Sequence, residues 1–185
     1  MIPFRKALES QVGRKLLNAI GAIGLVGFII VHLAGNLQLY FPSGEAFNEY
    51  TKSMHDLGGL LYVIEIGLLG VFALHAVSGI MVWLKNRKAR NERYQVVTQT
   101  KGGPSNLSVF SNNMIITGTG LLLFVVMHVM QFRFHLFTDK DYSIEIDGEP
   151  AFDMYQLVVD TFQDPLWMVV YCVAMLFLGM HLRHG

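Results

Sequence analysis

The stretch "FALHAVSGIMVWLKNRKAR", Phe72 to Arg90, decides the fold. Phe72 to Leu84 carry no charge, and Lys85, Arg87, Lys88 and Arg90 then arrive together. An apolar run closed by a burst of cations is what a membrane-crossing helix looks like where it meets the cytoplasmic headgroups. One ionisable side chain, His75, sits deep in the apolar part. Such a residue is costly in lipid and is read as functional by default.

The rest of the chain repeats the pattern. Of its 185 residues 52% are hydrophobic and only 15% charged, too apolar for an ordinary soluble domain of this size. Asp, Glu, Lys and Arg are absent between Lys15 and Glu45, between Gly102 and Phe132, and between Pro165 and Leu182, and Glu65 alone falls between Asp56 and Lys85. A spanning helix needs about 20 mostly apolar residues. The expected fold is therefore an all-α membrane protein, a single helical bundle with spans near 16–40, 60–84, 114–136 and 165–185. No cleavable signal peptide is apparent before the first span. The one cysteine, Cys172, excludes a disulfide framework and reads as a small core residue. "FPSGEAFNEYTKSMHDLGG" (41–59) has helix-like stretches between breakers, and "TDKDYSIEIDGEP" (138–150), with Asp147-Gly148, suggests a small hairpin or an irregular cap.

Net charge is zero, but its distribution is polarised. Arg5, Lys6, Arg14 and Lys15 precede the first span, and Lys85, Arg87, Lys88, Arg90, Arg93 and Lys101 separate the second from the third. The other two connections are rich in Asp and Glu. By the positive-inside rule the N-terminus is cytoplasmic and consecutive spans alternate in direction. The basic loop 85–101 either contacts lipid headgroups or helps dock a partner. Nucleic acid is implausible, since the charge lies at a membrane face and no binding module is recognisable.

Four of the seven histidines fall one per span: His32, His75, His128 and His181. Because spans alternate, His32 and His128 belong near the outer face and His75 and His181 near the inner face. Two His pairs at two depths can each face across the bundle. Two imidazoles alone underfill a zinc site, but a haem brings four equatorial nitrogens and needs only two axial ligands, and bundle cores hold such cofactors. His32-x2-Gly35, His75-x3-Gly79 and His181-x3-Gly185 place a glycine one turn away on the same face, leaving flat space. Two haems stacked in this way would conduct electrons between a lipid-soluble quinone and a soluble redox protein on the inner face.

Other residues fit around that core. Haem propionates call for cations or donors; Arg14, Lys15 and Asn18 suit the inner haem and Arg133 the outer one, although Arg14 and Lys15 also serve as topology signals. His184 lies three residues beyond His181 and either ligates in its place or hydrogen-bonds a propionate. Trp83, Trp167, Tyr40, Tyr62 and Tyr171 read as interface aromatics, and His135 as an interfacial residue.

"VHLAGN" (31–36), "LHAVSGIMV" (74–82), "MHVMQFR" (127–133) and "MHLRHG" (180–185), with "GRKLLNAIG" before the first span and "YVIEIG" in the second, occur in order along the chain. In these segments the sequence resembles, over essentially its whole length, the di-haem cytochrome b membrane anchor of succinate dehydrogenase and fumarate reductase, of the b558 type. The resemblance implies iron ligation by His32 with His128 in the distal haem and by His75 with His181 in the proximal one. It implies a flavoprotein subunit carrying FAD and an iron–sulfur subunit on the cytoplasmic face of a prokaryotic membrane, with no dicarboxylate site in this chain. It also puts a quinone (menaquinone or ubiquinone) near the distal haem, where His55, Asp56 and Glu65 are candidate hydrogen-bond and proton partners. That family has five spans, so the chain is expected to be truncated before a fifth. The other readings are a haem b anchor of a hydrogenase or formate dehydrogenase, and a proton-coupled or metal transporter.

Overall fold

A computed structural model describes residues 10–89 and 114–184. Helix α1 (Gln11–Asn36) starts where the Ser10 hydroxyl accepts from the Gly13 amide at 3.0 Å and ends in a 3-10 turn, Leu37–Tyr40, ahead of Pro42. A short helix α2 (Glu45–His55) follows, then the long α3 (Gly59–Ala89) and α4 (Met114–Phe132). A two-stranded antiparallel hairpin, β1 (Ser143–Ile146) and β2 (Glu149–Phe152), leads into α5 (Met154–Gln163) and α6 (Pro165–His184).

Four helices are long and apolar enough to cross a membrane, over Lys15–Tyr40, Gly59–Lys85, Met114–Phe132 and Pro165–Arg183. The third is shorter than the expected 114–136. It stops at Phe132, and the chain turns sharply through His135 and Phe137, both at positive φ (53° and 74°), which removes His135 from the span. At 1.5 Å per residue α3 is about 46 Å long against a hydrocarbon thickness of about 30 Å. Its surplus carries Lys85, Arg87 and Lys88 out at one end, with Arg87 set over the Trp83 ring.

The spans pack as two antiparallel pairs. Helix α1 lies against α3 and α4 against α6, while the contact between the pairs, through α3 and α4, is much thinner. In the most apolar stretches of α1 and α3 no residue is buried. Cys172 faces outward from α6 and is exposed, so it is not a core residue.

The other end of the bundle is closed by a cap made from both connecting segments. Phe47 of α2, Tyr142 ahead of β1 and Leu157 of α5 are buried there. The Asn48 amide donates to Asp153 at 2.8 Å and its carbonyl accepts from the Tyr155 amide at 2.9 Å, tying α2 to the start of α5. Asp147-Gly148 makes the hairpin turn with both residues at positive φ (56° and 78°), the geometry a two-residue type I′ loop requires. Helix α5 was not foreshadowed by the loop composition. Its signal is present nonetheless: Asp153 caps it by accepting from the Gln156 amide, Leu157 and Thr161 share the buried face, and Asp164-Pro165 ends it.

Candidate functional site

Helix direction decides which histidines meet. His32 of α1 and His128 of α4 both run toward the cap, and their ring centroids lie 5.8 Å apart with the planes at 88°. His75 of α3 and His181 of α6 both run toward the end bearing Lys15, Lys85 and Lys88, with centroids 6.2 Å apart and planes at 77°. Each pair joins one helix of the α1/α3 half to one of the α4/α6 half. The histidines thus bridge the thin seam of the bundle at two levels.

Imidazole nitrogens bind transition metals at about 2 Å and the ring centroid lies about 1 Å behind, so two ligands on opposite sides of one ion stand roughly 6 Å apart. Both pairs have that separation. An edge-to-face ring contact has it too, and the hydrogen bonds show how the rings are held. Tyr171 donates its hydroxyl proton to Gln131 Oε1 at 2.9 Å, so its oxygen accepts from His128 Nδ1 at 3.1 Å. Thr117 donates to the Met114 carbonyl at 3.2 Å and accepts from His181 Nδ1, also at 3.2 Å. In both histidines the proton is therefore held on Nδ1 and the lone pair is left on Nε2. A ligating histidine is prepared in this way.

His75 Nδ1 is buried without a hydrogen-bond partner among the described residues, unlike Nδ1 of His128 and of His181. Among the described residues no three of His, Cys, Asp and Glu converge on one point. The histidines converge in twos, which suits a group that brings its own equatorial ligands and not a bare ion.

Room beside the pairs comes from glycines, though not all of those expected. Gly79 has no atom within 4 Å of where a Cβ would be, so the space one turn from His75 is open. Gly35 instead packs under Tyr50, whose hydroxyl occupies the place of a side chain, so the turn after His32 is filled. Gly21 and Gly118 do what the sequence pattern did not reveal. A Cβ on Gly21 would stand 3.7 Å from His75 Cβ, and one on Gly118 only 3.2 Å from His181 Cε1. They let α1 close onto the base of the His75 side chain and α4 onto the His181 ring.

Aromatic side chains surround the cap-end pair. Phe28 stacks on His32 at 5.4 Å, Phe124 on His128 at 5.8 Å, and Phe132 approaches His128 at 5.3 Å. Tyr171, expected to be an interface aromatic, belongs to this cluster, with Phe124 and Phe162 at 5.0 and 4.9 Å. Trp167 does sit at a span end, against Phe137.

The remaining candidates scatter. Arg133 and Glu65 find each other, with Nε–Oε1 at 2.7 Å and a second bond from the terminal nitrogen to Oε2 at 3.3 Å, above the Tyr62 ring. The intramembrane carboxylate is thus neutralised by the cation expected at a propionate. Asp56 pairs with Lys52 at 3.1 Å and lines a shallow cleft of about 340 Å³ between α2 and the hairpin, with Glu49, Ser53 and Asp147. His55 is exposed at the end of α2. His55, Asp56 and Glu65 do not form one cluster. His135 stacks flat on Phe152 at 3.9 Å, and burial, then His55 and Arg133, hold its imidazole below the ordinary range.

At the opposite end the Ser78 hydroxyl lies 2.8 Å from Asn18 Oδ1 and 3.0 Å from the His75 carbonyl, joining α1 to α3 beside the second pair. Lys15 is exposed there. The side chains of Arg14 and His184 lie outside the described part, as do Gly185 and the basic residues Arg90, Arg93 and Lys101. Comparison with known protein families, with characterised proteins and with solved structures returned no match.

Proposed function

We propose that the chain is the membrane anchor and electron-transfer subunit of a succinate:quinone oxidoreductase, holding two b haems between a cytoplasmic iron–sulfur partner and membrane quinone. The observation that carries this is the pair of cross-bundle histidine couples at ligating separation, 5.8 and 6.2 Å, one member of each with its Nδ1 proton held by a hydroxyl. Haem, when bound, would supply a one-electron centre at each level. The chain's own residues do the rest. His32 with His128 and His75 with His181 would hold the two irons, the open space at Gly79 would admit the flat group beside His75, and Phe28, Phe124 and Phe132 would keep water from the cap-end pair.

The order of motifs quoted above supports the same identification, including a flavoprotein bearing FAD beside the iron–sulfur subunit. The basic end, with Lys15, Lys85, Arg87 and Lys88, is the cytoplasmic side by the positive-inside rule, in a prokaryotic inner membrane. Quinone belongs at the cap end. There Glu65 is the carboxylate within reach of the membrane, ion-paired with Arg133; His55 and Asp56, on the exposed face of the cap, are weaker partners. Lys15 and Asn18 would meet the propionates of the cytoplasmic-side haem, and Arg14 and His184 would join them by sequence position.

A reduced-minus-oxidised spectrum and pyridine haemochrome quantitation of the purified complex test the reading. Two b haems per chain are expected. A complex free of haem, or one whose haem content is unaffected by loss of any of the four histidines, overturns it.

A further inference from the structure

The proposed haem ligation rests on four histidines, and the structure treats them unequally. We infer that Tyr171, acting with Gln131, and Thr117 are positioning residues that set the electron affinities of the cap-end and basic-end centres independently, each by accepting the Nδ1 proton of one ligating histidine. The inference rests on the haem reading above and goes beyond ligation to what distinguishes the two centres.

Gln131, at the cap end of α4, is 3% exposed, and Thr117, near the other end of the same helix, is 5% exposed. Burying such groups costs free energy unless they are hydrogen-bonded, and here Gln131 accepts from Tyr171 while the Thr117 hydroxyl meets His181. The Gln131 carbonyl oxygen can only accept. The Tyr171 proton must therefore point to it, and the tyrosine oxygen can only receive from His128. A hydroxyl that is itself donating is a better acceptor. The three residues form a directed relay, His128 to Tyr171 to Gln131, which draws the Nδ1 proton away from the ring and makes Nε2 more electron-rich.

At the other level Thr117 does the same for His181 through a single link that ends on the Met114 carbonyl. An electron-rich axial ligand stabilises the oxidised iron and lowers its potential. Because Tyr171 and Thr117 lie on different helices and serve different pairs, each lowers one potential and leaves the other alone. Two centres with the same ligands can then hold different potentials in one bundle.

Redox titration of the holo-complex, followed optically and by electron paramagnetic resonance, tests this with Tyr171→Phe, Gln131→Met, Thr117→Val and Thr117→Ser. The centres are told apart by which potential disappears in His75→Ala. Tyr171→Phe should raise the cap-end potential, shift its low-spin resonance, and leave the other centre unchanged. Gln131→Met, which keeps the tyrosine ring and its packing, should shift the same centre in the same direction by less. Thr117→Val should raise only the basic-end potential, and Thr117→Ser, which keeps the hydroxyl, should restore it. If Tyr171→Phe loses haem outright, Gln131→Met decides. A two-haem protein in which these variants move neither potential, or move both together, overturns the inference. A wild-type complex without haem overturns the haem reading instead, so the two failures are separable.

Discussion

Phe47, Tyr142 and Leu157 are three of the four buried apolar side chains among the described residues, and all three lie in the cap; the far larger bundle contributes only Ala174. The cap also holds its polar groups in closed sets. Asp160 accepts from Lys140, Tyr142 and Gln156 at 2.7–2.9 Å, and Asn48 bridges Asp153 and Tyr155. The cap meets water and is held by apolar burial, which water drives. The bundle meets lipid, where burying one apolar surface against another contributes little and association relies on close small-residue contacts and polar links. Its links include the Ser78–Asn18 contact, the Glu65–Arg133 pair, the hydrogen bonds of His128 and His181 between α4 and α6, and the histidine couples. A change in the cap should therefore cost stability, and a change at the histidines should cost contents.

The sharpest break of that contrast is at the histidines. His75→Ala and His128→Ala should each remove one of two haems, a different one in each case, with the cap undisturbed. Quantitation with amide hydrogen exchange over 143–163 checks both halves, and loss of the same centre in both variants would refute the pairing across the bundle. In the cap, Asn48→Ala leaves Asp153 and the Tyr155 amide short of a partner and should cost about 1–3 kcal/mol. Thermal unfolding should fall accordingly while the haem spectrum keeps its shape, and a lost spectrum would mean cap and bundle are not separable.

Between the two regions sits the Glu65–Arg133 pair. A double-mutant cycle with Glu65→Gln and Arg133→Gln should give a coupling of about 1 kcal/mol, since both side chains are about one-third exposed and partly screened. A coupling near zero would leave Arg133 free for another anion. The smallest effect is expected from acid. The Lys140 ammonium first, then Gln156 and Tyr142, hold the Asp160 carboxyl below the ordinary carboxylate value of 3.8. A depressed folded-state value contributes stability that is present above the ordinary range and is lost only as pH falls through the depressed one. Hydrogen exchange around residues 140–160 should thus loosen below about pH 4 and be flat above it, and loosening already at pH 6 would point to His135 instead.

Much of the bundle was legible in the chain because lipid imposes one rule. Backbone groups must be satisfied within the segment, so an uncharged run of sufficient length is a helix whatever its neighbours are. The ends were less legible. Span three stops at Phe132, directly before Arg133, because the chain turns at His135 and Phe137, and the apolar residues that continue beyond Arg133 hid that turn. Of the candidate site residues, the four histidines stood out as rare ionisable groups at depth, and alternation of direction was enough to sort them into levels. Tyr171, Gln131 and Thr117 did not stand out. A tyrosine near a span end resembles an interface anchor, and threonine is common in membrane helices, so their role is visible only once α4 and α6 are placed side by side. The same holds for Gly21 and Gly118, which look like any other packing glycine until the histidine each approaches is known.

The amino-acid sequence by itself determined the four spans, their alternation and the depth of each histidine, since these follow from local hydropathy, charge and helix length. Only the tertiary structure decided which hydroxyl holds which imidazole proton, that Arg133 neutralises Glu65, and that α5 helps close the cap. Those are contacts between residues far apart in the chain, and their geometry is set by how helices pack, which no local property of the sequence encodes.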